Sequence, residues 1–245
     1  YSDDCIECDD LTIRNYSFES AAFGVLNGHS RYSCETHGLT FPGQVTGSVS
    51  VSHDLVDNTD SDVGENHRFR YHIFFPPGTE KSKSLILFFH GFNEKNWDKY
   101  YPWAKRLALQ TGKAVVMFPF AFHINRAPAQ WSDKRAMFGL SRKREQAFPN
   151  IMKSSLSNVA ISIRLHTHPD RFIWAGLESY YDIITFIGSC RAGLIPEIDR
   201  ECTFDFFSYS IGCLLAEILM LTNYKGVFTD SRLCMFCGGA VFNRL

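Results

Sequence analysis

Thr203-Phe204-Asp205-Phe206-Phe207 runs straight into Ser208-Tyr209-Ser210-Ile211-Gly212 and then into Cys213-Leu214-Leu215-Ala216-Glu217-Ile218-Leu219-Met220-Leu221. The first segment is short, aromatic and nearly all apolar, which suits a strand covered on both faces. The last predicts a strongly apolar helix. A strand-to-helix turn this sharp forces its central residue, Ser210, into a strained backbone conformation, so the residues two before and two after have to be small. Ser208 and Gly212 are small. The turn also sets Ser210 at the positive end of the helix, where a developing oxyanion is stabilised. The bland alternative is that Ser210 only caps that helix.

Working outward, Ser84–Phe89 is a second continuous apolar run and ends in His90-Gly91-Phe92-Asn93. Asp98–Thr111 has helical periodicity with Gly112 as its C-cap, and Ala114–Phe118 is another buried strand, ended by Pro119. Ala175–Arg191 reads as a long apolar helix, Arg232–Phe242 as a further strand, and His67–Phe75 as a strand stopped by Pro76-Pro77-Gly78. Buried strands alternating with helices predict an α/β fold with a mainly parallel central sheet and helices on both faces. Residues 1–65 are polar and loop-rich, with an alternating segment at Gln44–Val56. They form an N-terminal extension carrying the first strand or strands, and residues 66–245 form the core. Residues 120–170 are rich in Arg, Lys, Pro, Gln and Ser, and read as a lid-like insertion with one helix at Met152–His166. The basic run Lys134–Arg144 within it reads as a solvated face.

The 245 residues carry 25 Lys+Arg against 26 Asp+Glu, a net charge of −1, with 45% hydrophobic residues. That charge gives no bulk attraction to nucleic acid or to an anionic membrane. The longest apolar stretches fall short of the ~20 residues of a membrane span. A soluble chain follows, and reduced cysteines lean towards the cytoplasm. Of eight cysteines, Cys234 and Cys237 read as buried small residues of a strand. Cys5, Cys8, Cys34 and His37 have a loose zinc-site spacing, but no metal or cofactor is expected. The start at Tyr1 marks a processed product or a fragment.

Ser208-x-Ser210-x-Gly212 between strand and helix, with His90-Gly91 after an earlier buried strand, resembles the α/β-hydrolase superfamily. Within it, the phrases around Asn93–Trp103 and Phe207–Leu219 are similar to an uncharacterised bacterial family of unknown function. The resemblance implies a serine hydrolase of the esterase type acting on a small ester-like substrate. Ser210 would be the nucleophile, the backbone N–H groups of Phe92 and Ile211 the oxyanion donors, and His90, Gly91, Asn93, His123 and Trp131 the residues near the substrate. One departure stands out: the superfamily places its acid and then its histidine after the serine, and all nine histidines here precede Ser210. The first expectation is therefore a chain lacking the last strands, with base and acid beyond Leu245. The others are His123 as base with Asp133 beside it, or a scaffold that binds a ligand without catalysis. Oligomeric state is not readable.

Overall fold

Strand β8 (Ile198–Tyr209), which carries Thr203–Phe207, lies inside the main sheet between β6 (Ser82–Phe89) and β9 (Leu233–Phe236). In this computed structural model the described residues are 2–8, 11–22, 33–34, 39–40, 56, 60–148, 156, 159–167 and 170–238. Among them the main sheet has seven strands. β1 (Ser2–Cys8), β2 (Leu11–Glu19), β5 (Arg68–Phe75) and β7 (Ala114–Met117) precede β6, β8 and β9 in spatial order. The two-residue strands β3 (Ser33–Cys34) and β4 (Leu39–Thr40) pair separately.

The sheet is mixed, which corrects the mainly parallel expectation. β7, β6, β8 and β9 run parallel, while β1 against β2, β2 against β5, and β5 against β7 are antiparallel. The antiparallel half is the outer half. Its strand β2 interleaves polar and apolar residues, unlike the continuous apolar runs of strands buried on both faces. Arg14 and Tyr16 on β2 both reach Glu197, so polar residues there are partnered, not misplaced.

Helices α1 (Gly64–His67), α2 (Tyr101–Thr111), α3 (Lys134–Ala147), α4 (Val159–Thr167), α5 (Asp170–Ala192) and α6 (Ile211–Thr222) complete the elements that matter for the site. Strand alternation on β6 divides the core. Leu85, Leu87 and Phe89 pack with Ile183 and Phe186 of α5 and Ala216 and Leu219 of α6. Ile86 and Phe88 pack on the opposite face with Tyr100, Ala104 and Ala108 at α2. Helices therefore cover both faces, as expected. Gly112 closes α2 in the left-handed conformation, φ 65°, its N–H donating to the Ala108 carbonyl.

Described residues between Ala121 and Ile163 build a third apolar cluster with Val56 and Val63, in which Phe122, Trp131, Met137, Leu140 and Ile161 are buried. Helix α3 departs from the expectation of a single helix here, because the basic run hides a second pattern of Met137, Leu140 and Ser141 on the buried side. Lys134, Arg135, Arg142 and Lys143 are exposed, as a solvated face requires. The helix expected at Met152–His166 is seen as α4 from Val159 on. Residues 44–55, residues beyond Gly238, and the side chains of Cys5, Cys8 and Cys34 with His37 lie outside what is described. Cys234 and Cys237 are exposed, which overturns their reading as core: β9 is the edge strand of the described sheet. No described helix is long and apolar enough to cross a membrane.

Candidate functional site

The carboxyl ends of β6, β7 and β8 converge, and each hands the chain to a loop with strained backbone. After β8, Ser210 has φ 54° and ψ −122°. That region disfavours any residue with a Cβ and costs about 1–3 kcal/mol. Ser210 holds the N-cap position of α6, yet its side chain makes no capping hydrogen bond. The turn is held by backbone instead: the Ser210 N–H donates to the Phe236 carbonyl at 3.1 Å, tying it to β9, and the Cys213 N–H donates to the Ser210 carbonyl at 3.0 Å. Gly212 is required by space. A Cβ there would stand 2.8 Å from both the His90 carbonyl oxygen and the Phe89 Cβ. Ser208 is fully buried under the turn.

The second loop, after β6, is anchored through His90, which is fully buried. Its Nε2 accepts from the Phe120 N–H at 2.9 Å, and its Nδ1 lies 2.7 Å from the Gly91 carbonyl. A carbonyl only accepts, so Nδ1 carries the proton, and His90 is a neutral strut between the β6 and β7 loops. Burial holds its pKa well below the usual histidine range. Gly91 N–H donates to the Tyr100 hydroxyl at 2.9 Å, which donates to Glu94 at 2.7 Å, and Lys99 pairs with Glu94. A Cβ on Gly91 would press to 2.9 Å on the Tyr209 ring. Asn93 follows at φ 60°. Neither the Phe92 nor the Ile211 N–H donates to another described residue, and Ile211 opens α6, where helical N–H groups lack intrahelical partners.

The third loop, after β7, has Phe122 at φ 63° and Ile124 at φ 53° around the buried His123. The Ile124 N–H donates to the Glu94 carbonyl at 2.9 Å, binding this loop to the second. His123 Nδ1 donates to the Ala121 carbonyl at 2.7 Å, and its Nε2 has no partner among the described residues. Burial lowers its pKa to about 4, with Lys95 and Arg126 adding to the effect. Asp133 does not accompany it. That carboxylate caps α3, accepting from the Ala136 N–H at 2.7 Å.

A cavity of about 640 Å³ opens beside these loops. Phe92, His123, Trp131 and Ile211 all line it, with Leu214 and Ile218 of α6 among the apolar walls. Four of the expected site residues thus meet around one space. His90, Gly91 and Asn93 are not in its lining and act on the shape of the loop, and Ser210 adjoins it through Ile211. Arg164, buried, contributes its guanidinium over the Trp131 ring at 4.8 Å and pairs with Asp60.

Behind the cavity wall lies an assembly the sequence reading missed. Arg126, fully buried, pairs with Glu178 at 2.7 Å and Asp182 at 2.8 Å and donates through Nε to the Asn66 side-chain carbonyl at 3.0 Å. Asn66 also donates to both Glu178 oxygens, and Ser20 donates to Asp182 at 2.6 Å. Two carboxylates face one guanidinium. Burial outweighs Arg126 and lifts Glu178 to about 7. The available signal was two acids four residues apart on one side of the otherwise apolar α5.

No curated protein matches the chain. Among solved structures it is similar to a mutant form of the esterase rPPE, with 10% identity over 65% of this chain and 35% of that one and a TM-score of 0.37. It is likewise similar to the esterase Est22, at 13% identity, 93% and 44% coverage and a TM-score of 0.41. A third is the peroxisomal alpha-beta-hydrolase Lpx1 from Saccharomyces cerevisiae, at 10% identity, 96% and 46% coverage and a TM-score of 0.41. The chain therefore spans less than half the length of each of these three proteins. A family model matches it from residue 2 to residue 245, so the chain belongs to the Family of unknown function (DUF6051).

Proposed function

We propose that this protein is a serine acyl hydrolase of the α/β-hydrolase type, acting on a small ester-like substrate. Ser210 Oγ attacks the acyl carbonyl and gives up its proton to a general base. The tetrahedral oxyanion takes hydrogen bonds from the Phe92 and Ile211 amides, the alcohol departs with a proton, and water releases the acyl group from Ser210 by the same route. The general base and its acid come from outside the described residues, since no described side chain hydrogen-bonds Ser210 Oγ. The 120–170 insertion forms a lid over the substrate. The observation that carries this reading is the backbone of Ser210. A serine held at φ 54° and ψ −122° at a helix start, with its hydroxyl unused for capping, is strain without a structural return. The paired amides of Phe92 and Ile211, both at residues lining one cavity, support it.

The test is turnover of an aryl ester by the protein and by Ser210→Ala. Loss of about 10³-fold or more is expected, since removing a nucleophile leaves only binding and oxyanion contributions. An unchanged rate overturns the proposal.

A further inference from the structure

His123 carries a buried polar atom that no described residue meets. Its ring lies against His90 at 5.2 Å, Phe92 at 5.6 Å and Phe120 at 6.5 Å between centroids. None of the three has a side-chain donor to offer: His90 gives its single N–H to Gly91, and the others are hydrocarbon. Ser179, also in the cavity wall, donates its hydroxyl proton to the Ala175 carbonyl at 2.8 Å while accepting from the Ala121 N–H at 3.0 Å. The Ala121 carbonyl in turn fixes the proton of His123 on Nδ1. Nε2 therefore has no donor among the described residues and is shielded from water, in a residue that lines a largely apolar cavity. A buried acceptor left unanswered is costly, and native folds keep few of them. Of the rings around it, Phe92 alone is partly exposed, at 37%, so Phe92 is the side chain that can yield to an entering group.

We propose that His123 is a specificity-determining acceptor of the cavity, which therefore takes acyl substrates whose apolar body carries an O–H or N–H donor. The inference rests on the cavity being the substrate site of the proposed hydrolase. The apolar walls bind the hydrocarbon with little discrimination, whereas a hydrogen bond to an otherwise unanswered acceptor rejects the analogue lacking the donor. Because burial keeps the imidazole neutral, the acceptor persists across the physiological pH range.

The experiment compares binding of para-hexylphenol and para-hexylanisole, which share a body and differ in one donor, to the full chain by calorimetry. The phenol is expected to bind about tenfold more tightly. In His123→Phe the ratio should fall to within about twofold, while Ser210→Ala should keep it. Equal binding by the unaltered protein, binding of neither probe, or a preference that survives His123→Phe overturns the inference. Should His123→Phe fail to fold, nitrogen NMR of the unaltered protein decides: the Nε2 resonance moves with the phenol and not with the anisole, and equal responses overturn the proposal. Because the ratio is read without turnover, it stands apart from the nucleophile test. A donor preference in a protein without Ser210-dependent turnover refutes the hydrolase reading and leaves His123 as a ligand anchor.

Discussion

Two polar assemblies sit on opposite sides of the same cavity wall and are built on opposite terms. Around Arg126 each charge faces a counter-charge: the guanidinium two carboxylates, reaching Asp182 Oδ2 as an ion pair without a hydrogen bond, while Glu178 and Asp182 Oδ1 accept from Asn66 and Ser20 and the Asn66 carbonyl accepts from the Phe122 N–H and Arg126. Around Ser210 the polar groups stand without such answers. The serine hydroxyl caps nothing, His123 Nε2 has no described partner, and the backbone on both loops is strained. A charge-paired buried network fixes geometry and offers little to a ligand. An unsatisfied strained one stabilises nothing, and its polar atoms remain free to meet a substrate. The Arg126 side is thus the scaffold that holds the third loop in place, since the Pro119 carbonyl and the Phe122 N–H are both tied into it.

The largest expected effect tests the scaffold side. Arg126→Met removes the guanidinium between Glu178 and Asp182 and leaves two buried carboxyls without it. Breaking a buried pair in this way costs about 3–5 kcal/mol. Chemical denaturation should show a loss of that size, together with slower turnover if the third loop shifts. A loss below about 1 kcal/mol would mean that the assembly is not the scaffold, and the contrast with the elbow would collapse.

The sharp turn at Ser210 is legible in the sequence while the Arg126 network is not, for a physical reason. Strands buried on both faces show as unbroken apolar runs, so β6, β7 and β8 and their terminal turns stand out, and small residues at Ser208 and Gly212 mark the sharp bend. β2 has one polar partner per turn of the pattern, such as Arg14 on Glu197, and its alternation is broken by such pairs. Arg126 sits in a polar stretch and is separated by about fifty residues from Glu178 and by sixty from Asn66. Nothing local announces that a charge will be buried when its partners come from distant elements. The place of His123 after a strand is legible, but the alternative that sets Asp133 beside it fails, because the Ala121 carbonyl that holds the ring leaves no trace in side-chain identity. The parallel character was overstated since period and composition do not encode strand direction.

A smaller effect sharpens the contrast through pH. Glu178 is lifted from its ordinary carboxylate range to about 7 by burial. A carboxyl whose folded pKa is raised binds more protons folded than unfolded, so between about 4.5 and 7 its contribution to stability falls as pH rises. Glu178→Gln keeps the shape and removes the titration. Relative to the unaltered protein it should be similar in stability near pH 5 and gain progressively towards pH 8, by at most about 3 kcal/mol. His72 and His123, both held at about 4, act in the opposite sense: their neutral burial is lost as pH falls from about 6.5 to 4. Both proteins share those groups, so the difference between them isolates Glu178. A difference flat in pH would show that the network holds Glu178 ionised throughout.

The smallest expected effect falls on the elbow and asks whether strain there is real. Ser210→Ala and Ser210→Gly both remove the hydroxyl of the proposed nucleophile, and neither loses a capping bond, because there is none to lose. They differ in the backbone alone. Alanine keeps the Cβ that makes φ 54° unfavourable, while glycine adopts that region freely. Relief of strain is worth about 1–3 kcal/mol, offset by about 0.5–1 kcal/mol for the extra freedom glycine has when unfolded. Ser210→Gly should therefore be the more stable of the two by about 1 kcal/mol, read as a shift in denaturation midpoint at equal slope. At an ordinary helix cap the serine side chain bonds the backbone, so both variants fall below serine, alanine by about 0.5–2 kcal/mol. A Ser210→Ala variant no less stable than the unaltered protein, with Ser210→Gly above both, thus separates a strained turn from an ordinary cap, without any substrate in hand.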